Sequence, residues 1–325
     1  MTKIDLITGI LGAGKTTFLR RYAEYCISRG ERIAILVNDF GAVNVDMMLL
    51  RDLRSDRCQL EMIAGCNDPA CHRRRFKTQL VSLGMQHFDR VLLEPSGIFD
   101  MDEFFDTLHD SPMDRWFEIG SILTVIDAET EDTLPPQLEY LFASEAACAG
   151  KLIVSKLSRV NEPSDAAAER LLAHLNRALE TVQCDRRFSR SDMLAKEWDT
   201  LTDADFFALT QASYRASSYV KQFQPEAFES GVHYFMHIRI PQAQIEPVLE
   251  SVMHSPECGS ISRLKGSLPT ESGGWLRINA TKEKLDIQPI KEAQAVLIVI
   301  GSELQFDAID ALLRAANTDP AYVSI

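Results

Sequence analysis

The strongest fold signal in this chain is the segment Gly9-Ile10-Leu11-Gly12-Ala13-Gly14-Lys15-Thr16-Thr17. It fits the pattern G-x-x-x-x-G-K-[ST] and stands between a predicted strand (residues 3–8) and a predicted helix (residues 16–29). In such a loop, glycines let backbone N–H groups surround the α- and β-phosphates of a nucleotide at the positive end of the helix. Lys15 reaches the β- and γ-phosphates, and the Thr16 hydroxyl binds Mg²⁺. The predicted nucleoside triphosphate site consists of Gly9, Gly12, Ala13, Gly14, Lys15, Thr16 and Thr17.

Acidic residues end two other predicted strands and follow a third. A carboxylate at such a position holds Mg²⁺ or its waters, and Glu94 and Asp127 both fit, although either could instead cap the following helix. Glu94 is the stronger candidate, because Gly97 lets a backbone N–H approach a γ-phosphate. Asp39 lies in a polar loop after the second strand, of the kind that orders around γ-phosphate and Mg²⁺.

The composition is that of a globular protein with two domains. The chain has 325 residues, 46% of them hydrophobic, and at about 100–200 residues per domain this length predicts two. Its 34 basic and 47 acidic residues give a net charge of −13, which argues against nucleic-acid and membrane-surface partners because polyanions are repelled. No run approaches the ~20 apolar residues that span a bilayer, and no secretory signal pattern is present. The seven cysteines are scattered, so we expect a cytoplasmic protein without a disulfide framework.

Apolar and amphipathic runs alternate over roughly the first two hundred residues, which predicts an α/β P-loop NTPase fold with a mostly parallel sheet. The predicted strands are residues 3–8, 32–38, 60–63, 90–94, 121–127 and 151–155. From residue 233 the order of strands and helices predicts a small α+β domain, ferredoxin-like, with two helices on one face of its sheet. The predicted domains are a P-loop nucleotide-binding domain (1–212), a linker (213–231) and a C-terminal α+β domain (232–325).

These segments together resemble the CobW-like metallochaperone GTPases, relatives of the hydrogenase and urease maturation GTPases. The family's T-G-F-L-G-A-G-K-T-T reads T-G-I-L-G-A-G-K-T-T over residues 8–17. Its N-E-F-G, E-x-x-G and V-V-D-A segments correspond to residues 38–41, 94–97 and 125–128. In the C-terminal part, residues 263–266 and 299–301 resemble the family's R-x-K-G and F-I-G. The resemblance covers nearly the whole chain and implies a CobW C-terminal-like domain after the P-loop domain.

The guanine-reading motif departs from the family's pattern. The family has N-K-x-D where this chain reads Ser155-Lys156-Leu157-Ser158. The aspartate of that motif accepts two hydrogen bonds from guanine, and its replacement by serine loses about 1.5–3 kcal/mol, or roughly tenfold to over a hundredfold in guanine preference. Lys156 can still stack over a base. The resemblance implies GTP, and the altered motif leaves ATP as the alternative.

The metal motif departs from the family's pattern in its spacing. The family places C-x-C-C after a glutamate and a glycine, and here the glutamate, glycine and first cysteine are followed by an apparent insertion. The resemblance, with the ligand chemistry of thiolate and imidazole, makes Cys66, Cys71 and His72 candidate ligands for Zn²⁺ or another transition metal. Glu61 or Cys58 could supply a fourth ligand. Alternatively, the cysteines are remnants of a lost metal site.

The resemblance implies a nucleoside triphosphatase that couples Mg²⁺-dependent GTP hydrolysis to the delivery of a metal or metal-containing cofactor. Its partner would be a client metalloprotein or a cofactor-dependent enzyme. The expected catalytic residues are Lys15, Asp39 and Glu94, with Thr16 and Asp39 on Mg²⁺ and Gly97 and Lys156 on the nucleotide. An alternative of another class is a nucleotide-switched docking protein without metal cargo of its own. A third, an ATP-dependent small-molecule kinase, shares the P-loop but would need a cluster of lid arginines that we do not find.

Overall fold

The computed structural model describes residues 1–38, 49–63, 69–95, 101–223, 231–282, 284–290 and 293–324. These residues form two compact units, which divide between residues 223 and 231. Among them, no helix combines the length and the apolar character that a membrane crossing requires.

The first unit is a parallel sheet with helices packed against it. Its strands are β1 (Thr2–Thr8), β2 (Ile33–Asn38), β3 (Cys58–Ile63), β4 (Arg90–Glu94), β5 (Phe117–Asp127), β6 (Lys151–Ser155) and β7 (Met193–Leu194). Its helices are α1 (Lys15–Ser28), α2 (Pro69–Gly84), α3 (Met101–His109), α4 (Met113–Trp116), α5 (Pro136–Ala146), α6 (Ser164–Thr181) and α7 (Asp203–Thr210). The seven strands lie in the order β3-β2-β4-β1-β5-β6-β7, and their pairs are parallel. The predicted fold class is confirmed for this unit.

Apolar strands and the apolar faces of helices build the core of this unit. All five residues of β4 are buried, as expected for a parallel strand covered on both faces. Val91 and Leu93 share a cluster with Phe76 of α2 and Phe104 of α3. A second cluster packs α5 and α6 against β6. The central strands are therefore fixed from several sides, which holds their carboxyl ends in a defined arrangement.

A buried ion pair lies inside this sheet. The Asp5 Oδ2 accepts hydrogen bonds from Arg90 Nη1 at 2.5 Å and from the Tyr22 hydroxyl at 2.7 Å, and Oδ1 accepts one from the Ser121 amide at 2.7 Å. Arg90 also donates to Glu31 at 2.9 Å. Burial raises the pKa of Asp5, and the Arg90 charge opposes that rise. Both carboxylate oxygens of Asp5 have specific partners, so the network ties β1, β4, β5 and α1 together.

The stretch predicted as a linker is in contact with the first unit over its described part. The Ile122 amide donates to the Ser213 carbonyl at 2.9 Å, and Tyr214 forms an isolated β-bridge with Ala149. Farther along, the Val220 amide donates to the Val182 carbonyl at 2.8 Å. Residues 213–223 therefore lie on the P-loop unit as an extended segment.

The second unit is an antiparallel sheet with two helices on one face. Its strands are β8 (Gly231–Met236), β9 (Ser260–Pro269), β10 (Trp275–Ala280), β11 (Leu285–Ile290), β12 (Val296–Ser302) and β13 (Val323–Ser324), and its helices are α8 (Ile245–His254) and α9 (Phe306–Ala316). The strand order is β11-β10-β9-β12-β8-β13. Leu249 of α8 and Ile309 of α9 pack on Leu264 and Leu297 of the sheet. Four neighbouring strands of this sheet, β9, β12, β8 and β13, give the predicted ferredoxin-like arrangement. Strands β10 and β11 extend the sheet at the β9 edge.

Candidate functional site

The phosphate loop lies at the carboxyl edge of the parallel sheet. It connects the end of β1 to the start of α1, and β1 is flanked by β4 and β5. After β1 the chain first forms β2, β3 and β4 on one side of it, and then β5, β6 and β7 on the other side. Ligands bind at such a switch point in open α/β sheets, because the connections diverge there and leave a crevice.

Three glycines give the loop its shape. Gly9, Gly12 and Gly14 have φ angles of 132°, 90° and 102°, which side-chain-bearing L-residues rarely adopt. A Cβ atom on Gly9 would lie 2.3 Å from the Val125 carbonyl oxygen. The loop can therefore take this path only with glycine at its first position.

The side chain of Lys15 folds back over the loop that precedes it. Its Nζ donates to the Gly9 carbonyl at 2.6 Å and to the Ile10 carbonyl at 3.4 Å. The side chain is largely buried, so the loop backbone supplies most of its hydrogen-bonding partners. Phosphate oxygens carry more negative charge than carbonyls, so a bound nucleotide would compete favourably for this ammonium group.

Thr16 and Glu94 meet at the other side of the loop. The Thr16 hydroxyl donates a hydrogen bond of 2.8 Å to Glu94 Oε1, and both residues are buried. The contact joins the first turn of α1 to the last residue of β4. The structure thus brings together two of the predicted site residues, whereas Asp39 and Gly97 lie outside the described residues.

Asp127, the other acidic candidate, faces a different partner. Its Oδ2 accepts a hydrogen bond from Lys156 Nζ, and that nitrogen also lies 3.9 Å from Glu129 Oε2. Its Oδ1 accepts from the Glu129 amide at 2.9 Å. Asp127 therefore belongs to the side of the site where the altered guanine motif lies, and Glu94 is the strand-end carboxylate beside Thr16.

The altered guanine motif retains a contact with the phosphate loop. Ser155 ends β6, and its hydroxyl donates to the Ala13 carbonyl at 2.6 Å. Lys156 has a left-handed backbone (φ 55°) that leads into a single 3₁₀ turn. Ser158 is in that turn and is exposed. The first motif position thus fixes the loop, while the fourth offers only a hydroxyl to a base.

Two residues at this site were not predicted. Trp198 packs its ring edge-on against Phe18 with centroids 5.6 Å apart, and its Nε1 donates to the Val154 carbonyl at 2.9 Å. A Cβ on Gly14 would lie 3.2 Å from this ring.

Glu145 lies behind Gly9, and its Oε2 accepts a hydrogen bond of 2.6 Å from the Gly9 amide. A lone acidic residue in the apolar run of residues 140–149 was the available signal for Glu145.

The candidate transition-metal site is described only in part. Cys66 lies outside the described residues, and of His72 only the backbone within α2 is described. Cys71 lies in the first turn of α2, is half-buried, and is disulfide-bonded. Over the residues with described positions, no group of three or more histidine, cysteine or acidic side chains forms a metal-binding cluster. The assignment of Cys66, Cys71 and His72 therefore stays a prediction.

The two residues considered as a fourth metal ligand are placed differently. Both carboxylate oxygens of Glu61 accept hydrogen bonds, from Gln59 at 2.7 Å and from Gln79 at 2.6 Å. Cys58 begins β3 and Ile63 ends it. Five residue steps at about 3.3 Å each put Cys58 about 17 Å from the Ile63 end of the strand. Cys58 is buried there as a free thiol. Glu61 lies three residues closer than Cys58 to the end of β3 that precedes the candidate ligands in the sequence.

The parallel sheet with its glycine-rich loop, Lys15 and Thr16 is that of a P-loop nucleotide-binding protein. Residues 3–183 match the family described as CobW/HypB/UreG, nucleotide-binding domain. The match covers more than half of the chain, and the chain belongs to this family. The predicted resemblance is therefore confirmed.

The comparisons also find similar curated proteins and a similar solved structure. The chain is 29% identical to "Zinc chaperone YeiR" of Escherichia coli over 52% of this chain and 51% of that protein. It is 20% identical to "Zinc-regulated GTPase metalloprotein activator 1" of Schizosaccharomyces pombe over 89% of this chain and 77% of that one. The alignment with the crystal structure of the Zn(II)-bound YjiA GTPase of E. coli covers 98% of this chain and 99% of that one, at 16% identity and a TM-score of 0.36. The chain spans about half the length of the first curated relatives that it matches.

Proposed function

We propose that this protein binds and hydrolyses GTP with Mg²⁺ and acts as a metallochaperone or maturation factor for a metalloprotein or cofactor-dependent enzyme. The observation that carries the nucleotide part is the phosphate loop with Lys15 on one side and the Thr16–Glu94 pair on the other. Family membership and the zinc chaperones among the relatives support the metal part.

The residues beside the loop fit a magnesium ion. A threonine hydroxyl and a carboxylate oxygen 2.8 Å apart are the hard oxygen donors that Mg²⁺ prefers, directly or through its waters. Thr16 would hold the ion, with Glu94 accepting hydrogen bonds from its waters, and Asp39 is the further ligand proposed from the sequence. When bound, Mg²⁺ neutralises charge that develops on the β- and γ-phosphates.

The chain's own residues supply the other roles. Lys15 would exchange the Gly9 carbonyl for a phosphate oxygen and offset its charge. Glu94 or Asp39 would orient the attacking water, and the Gly97 amide would contact the γ-phosphate. The loop N–H groups of Gly12 and Gly14 would surround the phosphates, with Thr17 beside them, and the Ala13 amide would exchange the Ile10 carbonyl, to which it donates at 3.1 Å, for a phosphate oxygen.

The nucleotide base is proposed to be guanine, with adenine as the alternative. Lys156 is held by Asp127, which supports a role for its side chain as a surface on which the base could stack. Ser158 replaces the aspartate that reads guanine and is exposed. A comparison of mant-GTP with mant-ATP affinities tests the choice.

The proposed cargo is Zn²⁺ or another transition metal on Cys66, Cys71 and His72. Thiolate and imidazole are suitable ligands for Zn²⁺, and a thiolate ligand requires the reduced form of Cys71. The segment that contains these residues lies in the sequence between Asp39 and Glu94, so nucleotide state and metal affinity would be coupled.

Native mass spectrometry on reduced, anaerobically purified protein separates cargo carrier from docking protein. Stoichiometric metal that disappears in the Cys66→Ala/Cys71→Ala variant supports the metallochaperone. A Cys184→Ala variant is the matched control, because that buried free thiol lies outside the proposed site. Metal-free protein that still binds GTP would instead support the nucleotide-switched docking protein without cargo.

A further inference from the structure

A buried carboxylate lies directly behind the phosphate loop. Glu145 is the second-to-last residue of α5 and is 1% exposed. Its Oε2 accepts a hydrogen bond of 2.6 Å from the amide of Gly9, the first loop residue. Its backbone carbonyl accepts hydrogen bonds from the Thr8 and Thr124 hydroxyls at 3.0 and 3.1 Å. The end of α5 is therefore fixed against β1 and β5, with its carboxylate under the loop.

Glu145 and Lys15 bind the same loop residue with opposite charges. Glu145 accepts from the Gly9 amide, while Lys15 donates to the Gly9 carbonyl at 2.6 Å. Any movement of Lys15 towards a phosphate removes a positive charge from the neighbourhood of Glu145. The state of Glu145 is thereby connected to the occupancy of the site.

The surroundings of Glu145 offer its charge little compensation. Its Oε1 has no hydrogen-bond partner among the residues that the structure describes. β1 and β5 present the neutral hydroxyls of Thr8 and Thr124, the loop presents an amide, and α1 presents Lys15 as the charged group. Burial raises the pKa of Glu145 to about 7, against the lowering effects of Lys15 and the Gly9 amide.

We propose that Glu145 is a positioning residue of the nucleotide site, which shapes the start of the phosphate loop and takes up a proton when phosphates bind. This inference rests on the proposed nucleotide-binding function. The proton is held at Oε1, so Oε2 continues to accept from the Gly9 amide. The loop keeps its shape in both protonation states, and the charge behind it changes.

The direction of the coupling follows from the charges. A nucleotide brings several negative charges to the front of the loop and attracts Lys15 away from the Gly9 carbonyl. Both changes disfavour a carboxylate behind the loop, so the complex holds the proton more tightly than the free protein. Nucleotide affinity therefore falls as the pH rises through neutrality.

The test is mant-GDP binding at constant Mg²⁺ between pH 6 and pH 8 in wild type and Glu145→Gln. Glutamine keeps an acceptor for the Gly9 amide but does not titrate. For each protein, the mant-GDP affinity at pH 6 is divided by the affinity at pH 8. We expect this ratio to be about tenfold larger for wild type than for Glu145→Gln. The comparison of the two ratios removes the titration of the nucleotide itself. Glu169→Gln, an exposed glutamate of α6, is the matched control and should behave as wild type.

Two measurements on wild type alone keep the test valid if Glu145→Gln does not fold. Calorimetry at pH 7 in two buffers of different ionisation enthalpy should show proton uptake on binding. Infrared difference spectra should show a new band of a protonated carboxylic acid when nucleotide is added. Equal pH dependence in wild type and Glu145→Gln, or no proton uptake, would overturn the inference while leaving nucleotide binding intact. A wild type that binds no nucleotide would overturn the proposed function and this inference together.

Discussion

The Thr16 hydroxyl donates a hydrogen bond of 2.8 Å to Glu94, across 78 positions of sequence. The pair joins the first turn of α1 to the end of β4, at the place where a P-loop protein holds Mg²⁺. Because each side chain is buried, the two hold each other in one orientation. Substitution of either side chain should therefore affect the Mg²⁺ site.

Removal of the Thr16 hydroxyl should abolish the effect of Mg²⁺ on nucleotide binding. Thr16→Val keeps the shape of the side chain but removes a hard oxygen ligand, which is worth about 1.5–3 kcal/mol, or roughly tenfold to over a hundredfold. Titration of mant-GTP with Mg²⁺ and with EDTA measures the difference. Thr16→Ser keeps the hydroxyl and should retain the Mg²⁺ effect. An unchanged Mg²⁺ effect in Thr16→Val would remove Thr16 from the site.

Glu94→Gln should separate binding from hydrolysis. A neutral amide still accepts the hydrogen bond from Thr16, but it is a poor acceptor for a proton from the attacking water. We expect kcat for GTP hydrolysis to fall about 10²–10⁴-fold while mant-GTP affinity changes by less than about threefold. Asp127→Asn is the comparison, because Asp127 faces Lys156 instead. Equal losses of kcat in the two variants would contradict the assignment of Glu94.

Ser158→Asp should restore a preference for guanine. The new carboxylate would accept hydrogen bonds from two N–H groups of guanine that adenine does not present in the same way. The ratio of mant-GTP to mant-ATP affinity should rise by about tenfold or more. Ser158→Asn has nearly the same shape without the charge and should raise the ratio much less. A ratio that does not move would show that the base is read elsewhere.

Arg90→Met should destabilise the first unit strongly. It would leave Asp5 buried with its hydrogen bonds from Tyr22 and Ser121 but without its positive partner. Breaking a buried ion pair from one side costs about 3–5 kcal/mol. Urea unfolding measures the loss, and Arg29→Met, at an exposed position, is the control. Asp5→Asn/Arg90→Met should recover much of the stability, and a double variant as unstable as the single one would argue against the charge as the cause.

The pH dependence of stability should carry a contribution from Glu145. Its pKa is raised from 4.5 to about 7 in the folded chain, so the folded state binds the proton more tightly than the unfolded state. The associated stability is fully present below pH 4.5 and is lost as the pH rises to about 7. Relative to Glu145→Gln, wild type should lose about 3 kcal/mol of unfolding free energy across this window. Parallel stability curves for the two proteins would contradict the raised pKa.

The sequence predicted the local part of the fold and of the site. The strand at residues 90–94 and the helix after the phosphate loop follow from hydrophobic periodicity and glycine placement, which are properties of neighbouring residues. The two-residue strand β7 was missed because a strand that short has no periodicity. The strand β11 gives only a weak signal, because it has no fully buried residue and contains Pro289.

The long-range part of the site needed the structure. Glu94 and Asp127 both end apolar strands, and the sequence left both open as Mg²⁺ candidates. Only the packing shows that Glu94 meets Thr16 while Asp127 meets Lys156. Glu145 lies 136 positions from Gly9, so no spacing rule connects them. Its location in an apolar stretch is a sequence signal, but this signal does not indicate its partner.

The proposed coupling of nucleotide and metal binding can be measured by a zinc titration of the reduced protein in three states: nucleotide-free, with GMP-PNP and with GDP. A competing chromophoric chelator reports the zinc affinity of each state. We expect one zinc per chain, with affinities that differ by about tenfold or more between the GMP-PNP and GDP states, because the proposed function has nucleotide and metal bias the same segment. Identical zinc affinities in all three states, or no specific zinc binding, would contradict it.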